Sequence, residues 1–167
     1  MEIKKADVGD LEDVLAIIQS AKDSLKKKDT LRWPDNYSPR SEVLDRISRG
    51  QQFMVTENKK LAGSFVLEQD FPEGVFGTGK KDQDLLPLSI EKVAVVPKKD
   101  YIKVVKAVLD FAQKHAKKTD SNRIFFSDYL GCEPCEEALL QKGYHKSQEI
   151  KQDIRPKEGM VCFEKEV

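Results

Sequence analysis

Three groups of residues in this chain have types and spacings suited to chemistry. Cys132 and Cys135 bracket Glu133-Pro134 at the start of a helical stretch. A helix N-terminus stabilises a thiolate, so the pair offers dithiol redox chemistry. A proline in the first helical turn, flanked by two small residues, explains the same pattern without redox work. Lys98, Lys99, Lys103 and Lys106 gather about the turn between a strand ending at Val96 and a helix beginning after Asp100. Free N–H groups at such a helix start attract phosphate. Against that, no glycine lies between Ser89 and Thr119 to let a bulky diphosphate approach the backbone, and the carboxylate of Asp100 would repel an anion. His115 and His145 fall in separate elements, with neither HxxxH nor paired CxxC spacing, and no metal site is expected. His115 is in phase with Val108 and Ala112, which suits a packing residue. No GxSxG turn supports a Ser-His-Asp triad.

The elements that must position these groups follow from apolar spacing. MEIKKA reads as a strand. Asp7 caps a helix with Asp10 at its third position, and Leu11, Val14, Leu15, Ile18 and Leu25 form the buried face. Lys26 to Lys28 suit its solvated end. Arg32 to Pro39 is a loop with Pro39 as the first residue of a second helix, whose apolar side is Val43, Leu44 and Ile47 and whose stop is Gly50. Gln52–Glu57 and LAGSFVLEQ form a hairpin about Asn58-Lys59-Lys60. A long connection follows from Phe71 to Pro87. Leu88 to Val96 is the most apolar strand and therefore central. A helix spans about Asp100 to Lys118, with Val105, Val108, Leu109, Ala112 and Ala116 on one face. RIFFSDYL is a strand, Pro134 to Gly143 a short helix, and YHKSQEI and MVCFEKE are closing strands. The order β-α-α-β-β-β-α-β-α-β-β demands at least one parallel pair. One mixed α/β domain over residues 1–167 is expected.

The chain has 167 residues, with 29 Lys plus Arg balancing 29 Asp plus Glu. Zero net charge gives no global pull toward nucleic acid or an anionic membrane, and neither partner is expected. MEIKKADVGD has no apolar h-region, and no apolar run is long enough to span a bilayer. Three cysteines do not make a disulfide framework. A cytoplasmic location is the expectation.

From Ile3 to about Ile150 the pattern resembles the GNAT family of N-acetyltransferases. The resemblance rests on IKKA before an acidic stretch and helix, on the stretch around Trp33, Tyr37 and Pro39, and on FMVTENKKLAGSFVLE. It continues through IEKVAVVP with its helix ending VLDFAQKHAKK, and RIFFSDYLGCEPCEEALLQKGYHKSQEI with Gly143-Tyr144. It implies a central mixed sheet flanked by helices, with two parallel strands splayed apart, and transfer of an acyl group from acetyl-CoA to an amine. Val93 to Val95 would pair with the pantetheine arm. The stretch Asp100, Tyr101, Lys103, Val104 and Val105 would carry the diphosphate. A general base and a general acid would assist.

This chain differs from the family pattern at the loop Q/R-x-x-G-x-G/A, where Asp100, Lys103 and Val105 stand. It differs again where Leu139 replaces the family's acidic tyrosine, and at Cys132, where an asparagine is frequent. In the family frame, Glu91 is the candidate base, in phase with Val93 and Val95. The alternative for it is a strand-end carboxylate in water. Tyr129, next to Asp128, is the candidate acid, and otherwise a packed ring with a wet hydroxyl. Trp33 and Tyr37 would line the site of a small-molecule amine, or pin their loop to the sheet. Two other functions stay open: a non-catalytic GNAT-like binding or regulatory module, forming a homodimer, and a thiol-redox protein using Cys132 and Cys135.

Overall fold

The computed structural model describes residues 1–27, 37–70, 86–129, 133–147 and 160–167, with Lys26, Lys27, Tyr129, Glu133, Pro134 and Met160 described by their backbone alone. The chain opens with β1 (Glu2–Lys5), then a 3-10 turn at Val8–Asp10 that runs into α1 (Leu11–Lys27). Asp7 accepts from Gly9 N at 2.8 Å and Asp10 reaches back to Asp7 N at 3.0 Å, a complete capping box. α2 (Arg40–Ser48) follows. Pro39 is its extended N-cap and not its first helical residue, and Leu44 is exposed, so only Val43 and Ile47 form the buried stripe. Gly50, at φ +69, ends that turn where a side chain would be strained.

β2 (Gln52–Glu57) and β3 (Lys60–Glu68) form the expected hairpin. They are followed by β4 (Leu88–Val95), α3 (Tyr101–Ala116), β5 (Arg123–Tyr129), α4 (Glu133–Gln141), β6 (His145–Lys146) and β7 (Met160–Glu166). All seven strands join one sheet in the order β1-β2-β3-β4-β5-β7-β6, and β4 is at its centre. β4 and β5 are parallel; the other pairs are antiparallel.

Each face of the sheet has its own core. Phe53, Val55, Phe65, Leu88, Ile90, Val93, Val95, Ile124, Phe126 and Phe163 pack beneath α3 and α4. Met54 and Ala94 lie with α1 and α2 on the other face. No helix among the described residues is long and apolar enough to cross a membrane.

Gly63 sets how closely α3 approaches the sheet. A Cβ there would stand 2.7 Å from the Ala94 carbonyl oxygen and 3.2 Å from Val104 Cγ1. Gly63→Ala should therefore cost about 1–3 kcal/mol as an overpacked site. Urea unfolding measures this, and an unchanged midpoint would mean that the β3–β4 seam gives way freely.

His115 is the packing histidine its phase implied. Its ring stacks on Phe111 with centroids 6.0 Å apart and meets Phe53 edge-on at 6.5 Å. Burial, helped by the charges of Lys5 and Lys118, holds its pKa below the usual 6.5. Between 6.5 and that lowered value the unfolded chain binds more protons, so stability falls as pH drops through the window and is indifferent to His115 above it. Urea midpoints taken down through pH 6.5 should show this loss, and His115→Phe should abolish it. Equal slopes in the two proteins would refute it.

Candidate functional site

The parallel ladder between β4 and β5 is short. It runs Leu88–Ile124, Ser89–Phe125, Ile90–Phe126 and Glu91–Ser127, then ends, although both strands continue. Beyond the last pair each strand stays with its outer neighbour. Ala94 and Val95 remain paired with Ser64 and Gly63 of β3, and Asp128 and Tyr129 with Val161 and Met160 of β7. Two antiparallel seams thus hold the strands apart. The inner edge of 93–95 is left without a ladder to β5, which suits it to pairing with an extended ligand.

The cause is visible at Lys92. Its φ is +54, in the left-handed region that a side chain adopts only at a cost of order 1 kcal/mol or more. Phe65 of β3 stands opposite both Lys92 and Val93, because Val66 pairs with Glu91 and Ser64 with Ala94. This β-bulge bends β4 at the fork and inverts its alternation. Leu88, Ile90, Val93 and Val95 all enter the core beneath α3. Glu91 is therefore not in phase with Val93 and Val95. It shares the opposite face with Ala94, beside Ser127 of β5 and across from Cys162 of β7. Burial, with the charges of Glu164 and Glu91 adding to it, pushes the Cys162 thiol up to about 12.

On that same face, the start of α2 closes against the bulge. Lys92 Nζ donates to Glu42 Oε1 at 2.7 Å and lies 5.2 Å from the centre of the Tyr37 ring. Arg46 pairs with the same Glu42 oxygen and donates to Ser38 Oγ at 3.4 Å. Burial lowers the pKa of Lys92; Glu42 opposes this and Arg46 adds to it. Burial alone would raise Glu42, but its two cations outweigh that and hold it below the usual carboxylate range.

On the other side of the fork lies the α3 N-terminus. Asp100 caps it, accepting from Lys103 N at 3.0 Å. Glu57, at the end of β2, accepts from Lys99 Nζ at 2.9 Å and Lys103 Nζ at 2.6 Å. Hydrogen bonds from Lys103 and then Lys99 hold its pKa down at about 2. Tyr101 Oη approaches Asp128 Oδ2 at 3.5 Å, so the first residue of α3 touches the unladdered end of β5.

The structure brings Glu91, Val93, Val95, Asp100, Tyr101 and Lys103 to one fork, with Tyr37 beside it. Two of the expected diphosphate carriers face inward. Val104 and Val105 are wholly buried in the core, and the Val104 N–H already bonds the Asp100 carbonyl at 3.1 Å. Tyr129 ends β5 two residues past the last pair with β4; its side chain, Trp33 and Cys132 lie outside the described residues. Leu139 is a core residue, and Cys135 is buried beneath α3, a poor place for thiol exchange. Among the described residues no three metal-ligating side chains cluster. The sequence reading missed Lys92, Glu42, Arg46 and Glu57; Arg46 and Glu42 are four apart on α2, but the pairs of Glu42 with Lys92 and of Glu57 with Lys99 and Lys103 join distant elements.

The fold is that of the GNAT family of N-acetyltransferases. A GNAT-family acetyltransferase from Listeria monocytogenes superposes with a TM-score of 0.73 at 18% identity, over 99% of this chain and 94% of the other. One from Streptococcus agalactiae gives 0.75 at 14% identity, over 99% and 95%. The PaiA N-acetyltransferase of Thermoplasma acidophilum, solved in complex with coenzyme A, gives 0.71 at 14%, over 99% and 98%. No family model matches the chain, and no curated protein matches its sequence.

Proposed function

We propose that this protein transfers an acyl group from an acyl-CoA thioester to a small-molecule amine. The observation that carries the reading is the β4–β5 fork, whose strands stop pairing at Glu91 and Ser127 while both run on. The unladdered edge of 93–95 fits the amide groups of a pantetheine arm. The α3 N-terminus fits the diphosphate less well, because Asp100 and Glu57 already face it and its lysines. A donor that binds weakly follows from that charge.

The bulge at Lys92 supports a reading in which the two reactants approach from opposite faces. The thioester arm enters along Val93 to Val95 from the side of α3. The amine waits on the face of Glu91, near Tyr37 and, by the family resemblance, Trp33. Glu91 takes the proton that the amine sheds on attack. Tyr129, at the end of β5, gives a proton to the departing thiolate, the role that Leu139 cannot fill. Tyr101 packs the donor against α3. A cytoplasmic location goes with this donor.

Titration calorimetry with acetyl-CoA tests the reading, beside a thermal melt with and without the ligand. Binding in the micromolar to millimolar range supports it. No heat and no melting shift at millimolar acetyl-CoA would leave a fold without a donor, and a non-catalytic module would replace the transferase.

A further inference from the structure

Lys92 is the only residue of β4 with a left-handed backbone, and it stands one position past the last β4–β5 pair. Its ammonium is held against Glu42 and the Tyr37 ring, with Arg46 sharing the same Glu42 oxygen and Glu91 as its chain neighbour. A carboxylate beneath an amine and an aromatic face over it is how a site recognises a primary ammonium. Here the chain supplies that ammonium itself, at the point where the proposed donor would present its thioester.

We infer that Lys92 is itself an acyl acceptor: the fork acylates its own Lys92 Nζ from a short-chain acyl thioester. The inference rests on the donor reading above. Neutral Nζ adds to the thioester carbonyl carbon, the C–S bond breaks, and sulfur leaves with the electron pair. Nζ sheds its proton to the Glu42 oxygen 2.7 Å away, and that proton passes to the thiolate, giving an acyl-lysine and a free thiol. Burial of Lys92 favours the neutral amine the step needs. Once acylated, Lys92 has lost its charge, and Glu42 and the Tyr37 face are released to an amine from outside.

Incubation of the full chain with acetyl-CoA, followed by intact mass and peptide mapping, tests this. One acetyl group is expected on Lys92, added at a first-order rate independent of protein concentration and at least about tenfold faster than on the exposed Lys60 and Lys118. Lys92→Arg, which keeps the charge, should lose that label and keep its melting temperature. Label spread over exposed lysines with Lys92 bare would overturn the inference. So would labelling of Lys92 by acetyl phosphate at the same rate, which is chemical acylation only. Calorimetry on the same sample separates the two readings. Acetyl-CoA that binds without marking Lys92 defeats this inference alone, whereas no binding and no mark defeats both.

Discussion

Glu91→Gln should lower the turnover of acyl transfer by about 10²–10⁴-fold while leaving the affinity for the donor unchanged. Glutamine keeps the shape of the side chain and its hydrogen-bonding reach, and removes only the capacity to take up a proton. The position supports the role better than strict alternation would have. Alternation would have aimed Glu91 at the core beneath α3, along with Val93 and Val95. The bulge at Lys92 turns it to the other face, next to Ser127 and on the side of Tyr37, where an amine can approach a thioester held at the fork. Steady-state kinetics with a panel of small amines, plus calorimetry for the donor, checks the result. A thermal melt guards against a folding defect. Unchanged turnover in a folded protein would remove Glu91 as the base and leave the donor reading standing.

Much of this was legible in the amino acids because the dominant signals are local. The cap at Asp7, the stop at Gly50, the hairpin about Asn58 and the stripe of α3 each depend on residues a few positions apart. The central place of β4 follows from its hydrophobicity. The strand–helix–strand crossover through α3 then called for the parallel pair. What escaped was the phase of β4. Its apolar residues Leu88 and Ile90 are followed by Val93 and Val95, a skip of three where a regular strand keeps to two, and that skip is the trace of the bulge. Read as simple alternation, it put Glu91 on the wrong face. The ion pairs escaped for a different reason. Glu57 meets Lys99 and Lys103 across 42 and 46 positions, and Glu42 meets Lys92 across 50, so no local pattern brings them together. Val104 and Val105 turn their side chains into the core in the first turns of α3, the segment on which the family's loop pattern falls.

Replacing Asp100 by Asn and Glu57 by Gln together should tighten acetyl-CoA binding by about tenfold to a hundredfold. Asparagine keeps the cap on the Lys103 N–H at little cost, so α3 should stay formed. Removing its charge ends the repulsion that a carboxylate exerts on a diphosphate at the same helix start, of order 1 kcal/mol at 4 Å in water and more near a protein surface. Removing the Glu57 carboxylate frees Lys99 and Lys103, which it now neutralises at 2.9 and 2.6 Å, to face the ligand as cations. The two changes act at one spot and are not expected to add independently. Salt gives a second check. The freed lysines make binding electrostatic, so the double variant should lose affinity with rising ionic strength more steeply than the parent protein. The same affinity and the same salt slope in both proteins would mean that the diphosphate does not sit at the α3 N-terminus. The fork would then need a donor whose recognition ends at the pantetheine arm.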